Sequence, residues 1–466
     1  MKKEIVKNSI LTLLIFICVF LFYKIWFSEK LWSSDYNFFA ALWGNQPIAA
    51  DTSSSIEDIL QPEKIIFSGG GKRFVSTKGE SGFEGYYNEV KSVLGKITEK
   101  TKFAESTEEE MISAIKASSV TVDFGTVFSG ETGTFLGTYF PCESVRDVVI
   151  SLNDTALGKP VVFVRDHKGG AVYKAVADMP LDKLSESVSG HILKNSGENI
   201  PFAFELGFNR TDTTEGSEIS RKILLNSNIL IGLTDVTAPA IKITPPEETE
   251  LPSSKLNMLL SQFGIERATA RKYIETNDDV LFVGSGATLK ISKSGTLEYQ
   301  AEASGPVIYD ASSKNALPSA VGNIFSLVRT VFRSFDISSP ALQISSDLVN
   351  LPNASGEITV YIDYYLDSIP VMAWDNGHAI SITVKNGRLI SYKQQICTLS
   401  KGDGKLTAGN MLQAVDGLYA VLPLKEDETA TVSDIFVAYT GEDSISWCAK
   451  IDGSDRLIVI NKEGTP

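Results

Sequence analysis

The sequence predicts an α+β fold, built of antiparallel sheets covered by helices and carried outside a membrane on one amino-terminal helix. Three observations predict it. Ser9–Phe27 is a long apolar run, short β-type segments are joined by glycine-containing turns, and amphipathic helical segments precede groups of those strands. An antiparallel sheet with one wetted face must cover its other face, so each helix is expected to lie across the strands that follow it.

The run SILTLLIFICVFLFYKIWF holds Lys24 as its sole charge, and as a helix it measures roughly 28 Å, close to the thickness of a bilayer's hydrocarbon core. Lys2, Lys3 and Lys7 precede it against Glu4, whereas Glu29, Lys30 and Asp35 follow in near balance, which keeps residues 1–8 cytoplasmic. Trp26, Trp32 and Trp43, with Tyr23 and Tyr36, mark an outer interfacial belt. A cleaved signal peptide fits less well: the run is long for one, and the small residues Ala49 and Ala50 lie far beyond it. A lipid-modified Cys18 would need small residues where Phe16 and Ile17 stand. Within the bilayer, helices associate through close packing and polar contacts, and Leu11, Leu14, Cys18 and Leu21 share one face as a candidate partner-binding stripe, with lipid exposure the alternative.

Residues 28–58 then read as a tether, turning polar and small at NQPIAADTSSSIED. With 466 residues, 43% of them apolar, the chain can build two or three cores. The formal charge is −14; the first eight residues hold three lysines against one glutamate, so the rest carries −16 and repels nucleic acid and other polyanions. Beyond Cys18 there are Cys142, Cys397 and Cys448. A disulfide between Cys397 and Cys448, or three buried thiols, are the two alternatives.

A first α+β domain is expected over residues 59–195. Lys64–Phe67 and Arg73–Ser76 form a hairpin around SGGGK, Gly85–Lys100 has helical spacing, and Ser106/Glu109 with Thr107/Glu110 are overlapping capping boxes for a second helix. Strands follow at Val120–Phe124, Val148–Leu152, Pro160–Asp166 and Ala171–Val176, the last two joined at Lys168-Gly169-Gly170, and Leu181–Leu193 closes the domain as a helix. A middle domain, 196–312, is expected to hold strands at Phe202–Phe208 and Ile241–Ile243, a helix at Lys255–Phe263 stopped by Gly264, and a meander at Val280–Gly284, Leu289–Ile291 and Thr296–Gln300. The carboxyl-terminal domain, 313–466, repeats helix then meander. Val321, Ile324, Phe325, Val328, Val331, Phe332 and Phe335 form one stripe, ahead of strands at Ile358–Leu366, Ile369–Ala373, His378–Val384 and Arg388–Gln395, with turns at Asp375-Asn376-Gly377 and Asn386-Gly387. A looser copy runs from Ala408–Val421 through Ile435–Tyr439, Ser446–Ile451 and Arg456–Ile460.

Catalytic signals are scarce. His167, His191 and His378 share no ligand spacing and suit exposed turns or a helix end. SGGGK lacks the phosphate-loop frame, and no nucleophile elbow occurs. Tyr361, Tyr364, Tyr365 and Trp374 are expected to be core more than ligand floor. No cofactor is implied.

Four stretches carry a family resemblance: the opening SILTLLIFICVFLFYKIW; DVVISLNDTALGKPVVFVRDHKGGAVYKAV at 147–176; FGIERATARKYIETNDDVLFVGSGATLKISKSGTLEYQ at 263–300; and VYIDYYLDSIPVMAWDNGHAISITVKNGRLISYK at 360–393. Their order resembles the YycH family of membrane-anchored extracytoplasmic regulators of the sensor histidine kinase WalK, also called YycG. The resemblance implies a non-enzymatic protein whose helix contacts the kinase and whose two later domains are similar to each other and to a sister regulator, YycI. The acidic and polar insertions at Thr211–Ser217 and Glu247–Pro252 depart from that pattern. From a different class, an envelope-binding module or chaperone merely anchored by the helix is the alternative.

Overall fold

The computed structural model describes residues 61–460 apart from 131–132, 134–136, 154–157, 196–198, 210–222, 248–249, 303–304, 311–315, 349–356, 375–376, 423, 425–427 and 453–456. The predicted tail, membrane span, tether and the Leu11, Leu14, Cys18 and Leu21 stripe lie outside the described residues, as does most of the Asp375-Asn376-Gly377 turn. Among the described residues, no helix is long and apolar enough to cross a membrane.

The chain enters through a hairpin, β1 (Lys64–Gly69) and β2 (Lys72–Thr77), whose two turn residues, Gly70 and Gly71, take φ of 59° and 75°. Left-handed angles at both positions are what a tight hairpin demands, so SGGGK is a turn. Then come α1 (Phe83–Leu94), β3 (Ala104–Ser106), α2 (Glu108–Lys116), β4 (Ser119–Ser129), β5 (Ser144–Ser151), β6 (Val161–Arg165), β7 (Val172–Val176) and α3 (Leu181–Lys194). The strands make one antiparallel sheet in the order β2-β1-β4-β5-β6-β7-β3. One face packs α1 and α3 through Phe83, Val90, Leu94, Leu184 and Val188, and the other packs α2 through Met111 and Ile115. That double cover explains why every residue of β5 is buried. Thr107 caps α2 by accepting the Glu110 amide at 3.2 Å. The expected Ser106 cap does not form; its hydroxyl donates to the Glu110 carboxylate instead.

Beyond Phe202, where a strand was expected, the chain makes a 3-10 turn at Ala203–Leu206, because Glu205 reaches back to the Phe202 amide and Gly207 takes a left-handed φ of 70°. There follow β8 (Ile223–Leu225), β9 (Val236–Thr244), α4 (Ser253–Gln262), β10 (Arg271–Ile274), β11 (Val280–Val283), β12 (Ala287–Ile291), β13 (Thr296–Ala301) and α5 (Ala316–Ser334). The rest is β14 (Ala341–Ile344), β15 (Glu357–Leu366), β16 (Ile369–Val371), β17 (Ile380–Lys385), β18 (Arg388–Gln395), β19 (Thr398–Ala408), α6 (Met411–Val421), β20 (Ala430–Gly441), β21 (Ser444–Ile451) and β22 (Leu457–Ile460).

Both helix-then-meander regions share a single 13-stranded sheet, ordered β10-β11-β12-β13-β18-β17-β15-β16-β20-β21-β22, with β14 on β15 and β8 on β20. It is antiparallel except where β16 and β8 run parallel to β20. A separate ribbon pairs β9 with β19. The Asn386-Gly387 hairpin forms as expected, with φ of 49° and 74°.

The predicted stripe of α5 is wholly interior. Val321, Ile324, Val328, Val331 and Phe332 are at most 1% exposed, and Phe332 packs on Tyr364 at 5.7 Å between ring centres. Beside it, Phe263 at the end of α4 packs on Tyr299 and Tyr392 at 4.9 and 5.3 Å. Phe332→Ala should cost about 3–5 kcal/mol of unfolding free energy by urea titration, the range for emptying a well-packed aromatic site.

Candidate functional site

The densest buried chemistry lies where the two sheets meet. Glu63, Lys64 at the start of β1, Asp123 on β4, and Arg146 and Asp147 on β5 come from the first sheet; Asp434 on β20 and Lys450 on β21 come from the second. Arg146 bridges the two, with Nη2 3.3 Å from Asp434 Oδ2 and Nε 3.4 Å from Asp123 Oδ1. Lys64 Nζ lies 3.6 Å from Asp434 Oδ1 and 3.8 Å from Glu63 Oε1. Arg146 and Asp434 side chains are each nearly closed to solvent. Asn228 Nδ2 donates to Asp147, and Lys450 Nζ donates to the Ser345 carbonyl at 3.4 Å.

Backbone geometry builds the seam. The β4–β5 register slips between Asp123 and Phe128, and in that bulge Gly125 takes φ of 69° while its amide donates to Asp123 Oδ1 at 2.9 Å. A Cβ on Gly125 would stand 2.1 Å from Glu63 Oε2, so only glycine leaves room for that carboxyl. The bulged strand then meets the second sheet directly: Thr126 Oγ1 donates to the Ser346 carbonyl at 2.6 Å, and the Leu348 amide to the Val127 carbonyl at 2.7 Å. On the far side, Asp367 and Ser368 both hold left-handed angles, and Ser368 Oγ donates to the Lys78 carbonyl at 2.6 Å. Two non-glycine residues in that region are strained, and the docking contact helps hold them.

Four carboxyls face three bases, so one acid is in surplus. Burial pushes Glu63 above its usual range, and Asp434 and Asp123 add to that push against Lys64 and Lys450. Asp434 goes the other way: burial raises it, but Lys64, Arg146 and Lys450 together outweigh burial and hold it low. Burial also pushes up the nearby Tyr365 phenol, helped by Glu63, Asp363 and Asp434. Removing one partner from a buried ion pair strands the other.

Two further polar constellations lie outside the seam. Ser187 Oγ lies 3.0 Å from His191 Nε2, and Glu89 accepts from Ser187 at 2.8 Å while lying 3.1 Å from the same His191 nitrogen. A nucleophile relay needs the acid on the other ring nitrogen, so this is a helix-to-helix clasp between α1 and α3. His191 stands in the last turn of α3, the helix end expected of it, and its half-buried ring packs on Tyr86 and Phe67. His378 is buried, not exposed as expected: its Nδ1 lies 2.9 Å from the fully buried Asp363, and Tyr361 stacks on the ring at 4.4 Å. Among the described residues, no group of three or more histidine, cysteine or acidic side chains is arranged to hold a metal ion.

Of the aromatic set, Tyr364 is fully buried, with Trp374 packed edge-on to it at 5.4 Å; Tyr361, Tyr365 and Trp374 are half-buried. Cys142, Cys397 and Cys448 are buried free thiols, so the Cys397–Cys448 bridge is not made. Cys397 lies in the main core, while Cys448 packs with Met372 and Ala438. Burial pushes each thiol up to about 12, which keeps it protonated and unreactive.

Sequence reasoning did not find the seam. Its signal was present as charges inside otherwise apolar strands, SVRDVVIS at 144–151 and ATVSDIFVAY at 430–439.

No protein-family model matches the chain, and no curated protein matches it. Among solved structures, the crystal structure of YycH from Bacillus subtilis matches over 90% of this chain and 100% of its own, at 14% identity and a TM-score of 0.55. The fold is YycH-like. That likeness extends through both sheets, and at this identity it speaks for architecture and not for individual side chains.

The seam yields two predictions. Asp434→Asn should cost about 3–5 kcal/mol, read by chemical denaturation, because Arg146 and Lys64 lose their buried counter-charge. Glu63 binds its proton more tightly folded than unfolded, so its contribution is full below about pH 4.5 and is lost as pH rises through its higher folded value. Glu63→Gln should therefore gain stability over the native chain with rising pH above that point; a stability difference that shrinks with pH would contradict it.

Proposed function

We propose that the chain is a bitopic, non-enzymatic regulator of a two-component system. In this reading residues 9–27 cross the cell membrane with residues 1–8 in the cytoplasm, and the stripe of Leu11, Leu14, Cys18 and Leu21 binds the helices of a WalK-like sensor histidine kinase. Residues 28–58 tether the outer region, whose domains at 59–195, 196–312 and 313–466 bind a YycI-like sister regulator. The carrying observation is the YycH-like fold over nine-tenths of the chain, joined to the apolar run that precedes it.

The seam supplies a physical route. The first strand begins at Lys64, so the chain arriving from the predicted span enters the folded region at the ion network. A partner on the second sheet can then act on the start of β1, where the tether joins the fold, through a rigid junction between the sheets. Such a regulator acts only by binding two kinase states unequally, and a difference of about 1.4 kcal/mol changes their ratio tenfold.

Replacing residues 9–27 with an unrelated spanning helix, with the protein still displayed at the surface, should abolish its effect on kinase output. A kinase-dependent reporter that responds as before would contradict the reading and favour an anchored envelope-binding module.

A further inference from the structure

We propose that β10 is a self-association edge, at which a second copy of this chain pairs antiparallel to continue the 13-stranded sheet. This goes beyond the regulatory reading and does not depend on it. The strand ends the sheet, and among the described residues nothing pairs with its outer side. All four residues are exposed, including Tyr273 at 47% and Ile274 at 64%. Natural edge strands are usually blunted by charge or cover; here Arg271 and Lys272 charge the amino half, Lys272 being paired with Glu250 at 2.9 Å, while Tyr273 and Ile274 leave the carboxyl half apolar and open.

The inner ladder fixes which groups point outward. Arg271 pairs with Val283, Lys272 with Phe282, Tyr273 with Leu281 and Ile274 with Val280, and the next amide, Glu275, donates to the Asp279 carbonyl. Backbone direction alternates along a strand, so Arg271, Tyr273 and Glu275 bond inward, whereas Lys272 and Ile274 present N–H and C=O groups to solvent.

A two-fold axis normal to the sheet keeps each side chain on its face, so it must pass beside a residue and not between residues. Centred on Lys272, the pairing would set one lysine ammonium against another. Centred on Tyr273, it sets Tyr273 against Tyr273 as a non-hydrogen-bonded pair, and Lys272 against Ile274 as pairs that exchange both backbone bonds. Arg271 of each copy then lies opposite Glu275 of the other. Arg271 is exposed and Glu275 partly so, and Glu275 meets Lys290 Nζ at 2.8 Å within its own chain. Centred on Ile274, the pairing would set Lys272 against Thr276 and Arg271 against Asn277 and gain no ion pair, so charge complementarity favours the Tyr273 register. The contact is small, so the association is weak.

The test uses the full chain in detergent micelles with Cys18→Ser, leaving only buried native thiols among the described cysteines. Tyr273→Cys places two Cα atoms about 4.5 Å apart, within disulfide reach, and mild oxidation should yield a covalent dimer. Lys272→Cys should not crosslink to itself. Arg271→Glu should weaken Tyr273→Cys crosslinking about tenfold by opposing Glu275. Adding Glu275→Arg should restore it, and Ile274→Pro, which removes an outward N–H, should lower it. Failure of Tyr273→Cys to crosslink, stronger crosslinking at Lys272→Cys, or indifference to Arg271→Glu would overturn the proposal.

Discussion

The structure depends on a salt-bridged network held out of water between two sheets. Arg146 is its keystone, since one guanidinium serves Asp123 on its own sheet and Asp434 on the other. Apolar contact alone would let the sheets slide, because dispersion has little directional preference. Charges that have lost their hydration must instead meet their partners in one arrangement or incur the full desolvation penalty. The bulge at Gly125, the hydrogen bonds from Thr126 and Leu348, and the turn at Ser368 all agree with that single arrangement.

This arrangement is a mechanical statement about signalling. A protein proposed to relay binding on its outer domains to a membrane helix needs a stiff connection at the point where the chain enters the fold. The network supplies it next to Lys64, and the surplus carboxyl of Glu63 leaves the joint sensitive to its protonation. The clasp of Glu89, Ser187 and His191 ties α1 to α3 over the first sheet, and the buried pair of Asp363 and His378 ties β15 to the segment entering β17 in the second.

Much of the architecture was legible in the sequence because it is written in local periodicity. The α5 stripe, the glycine turns at Gly70-Gly71 and Asn386-Gly387, and the Thr107 cap each need only neighbours within a few positions. What the sequence concealed is long-range. Nothing local tells that β8 joins β20, or that β9 pairs with β19. Phe202–Phe208 has strand composition but is closed by Glu205 and Gly207 into a turn. His378 sits after a turn and ahead of β17, yet its partner Asp363 lies on β15 and draws it inside. The seam was hidden for the same reason: the pairs that bridge the sheets, Arg146 and Lys64 with Asp434, are hundreds of positions apart, and only the unusual charges within apolar strands betrayed them.

The central claim is that the ion network makes the two sheets one cooperative unit. Native-state hydrogen exchange tests it directly, by comparing opening free energies of amides in β4 and β5 with those in β15 and β17 as denaturant rises. The account predicts that the most protected amides of both sheets merge into one global opening, with the same denaturant dependence. Exchange of the first sheet through its own lower-energy opening, while the second stays protected, would contradict it.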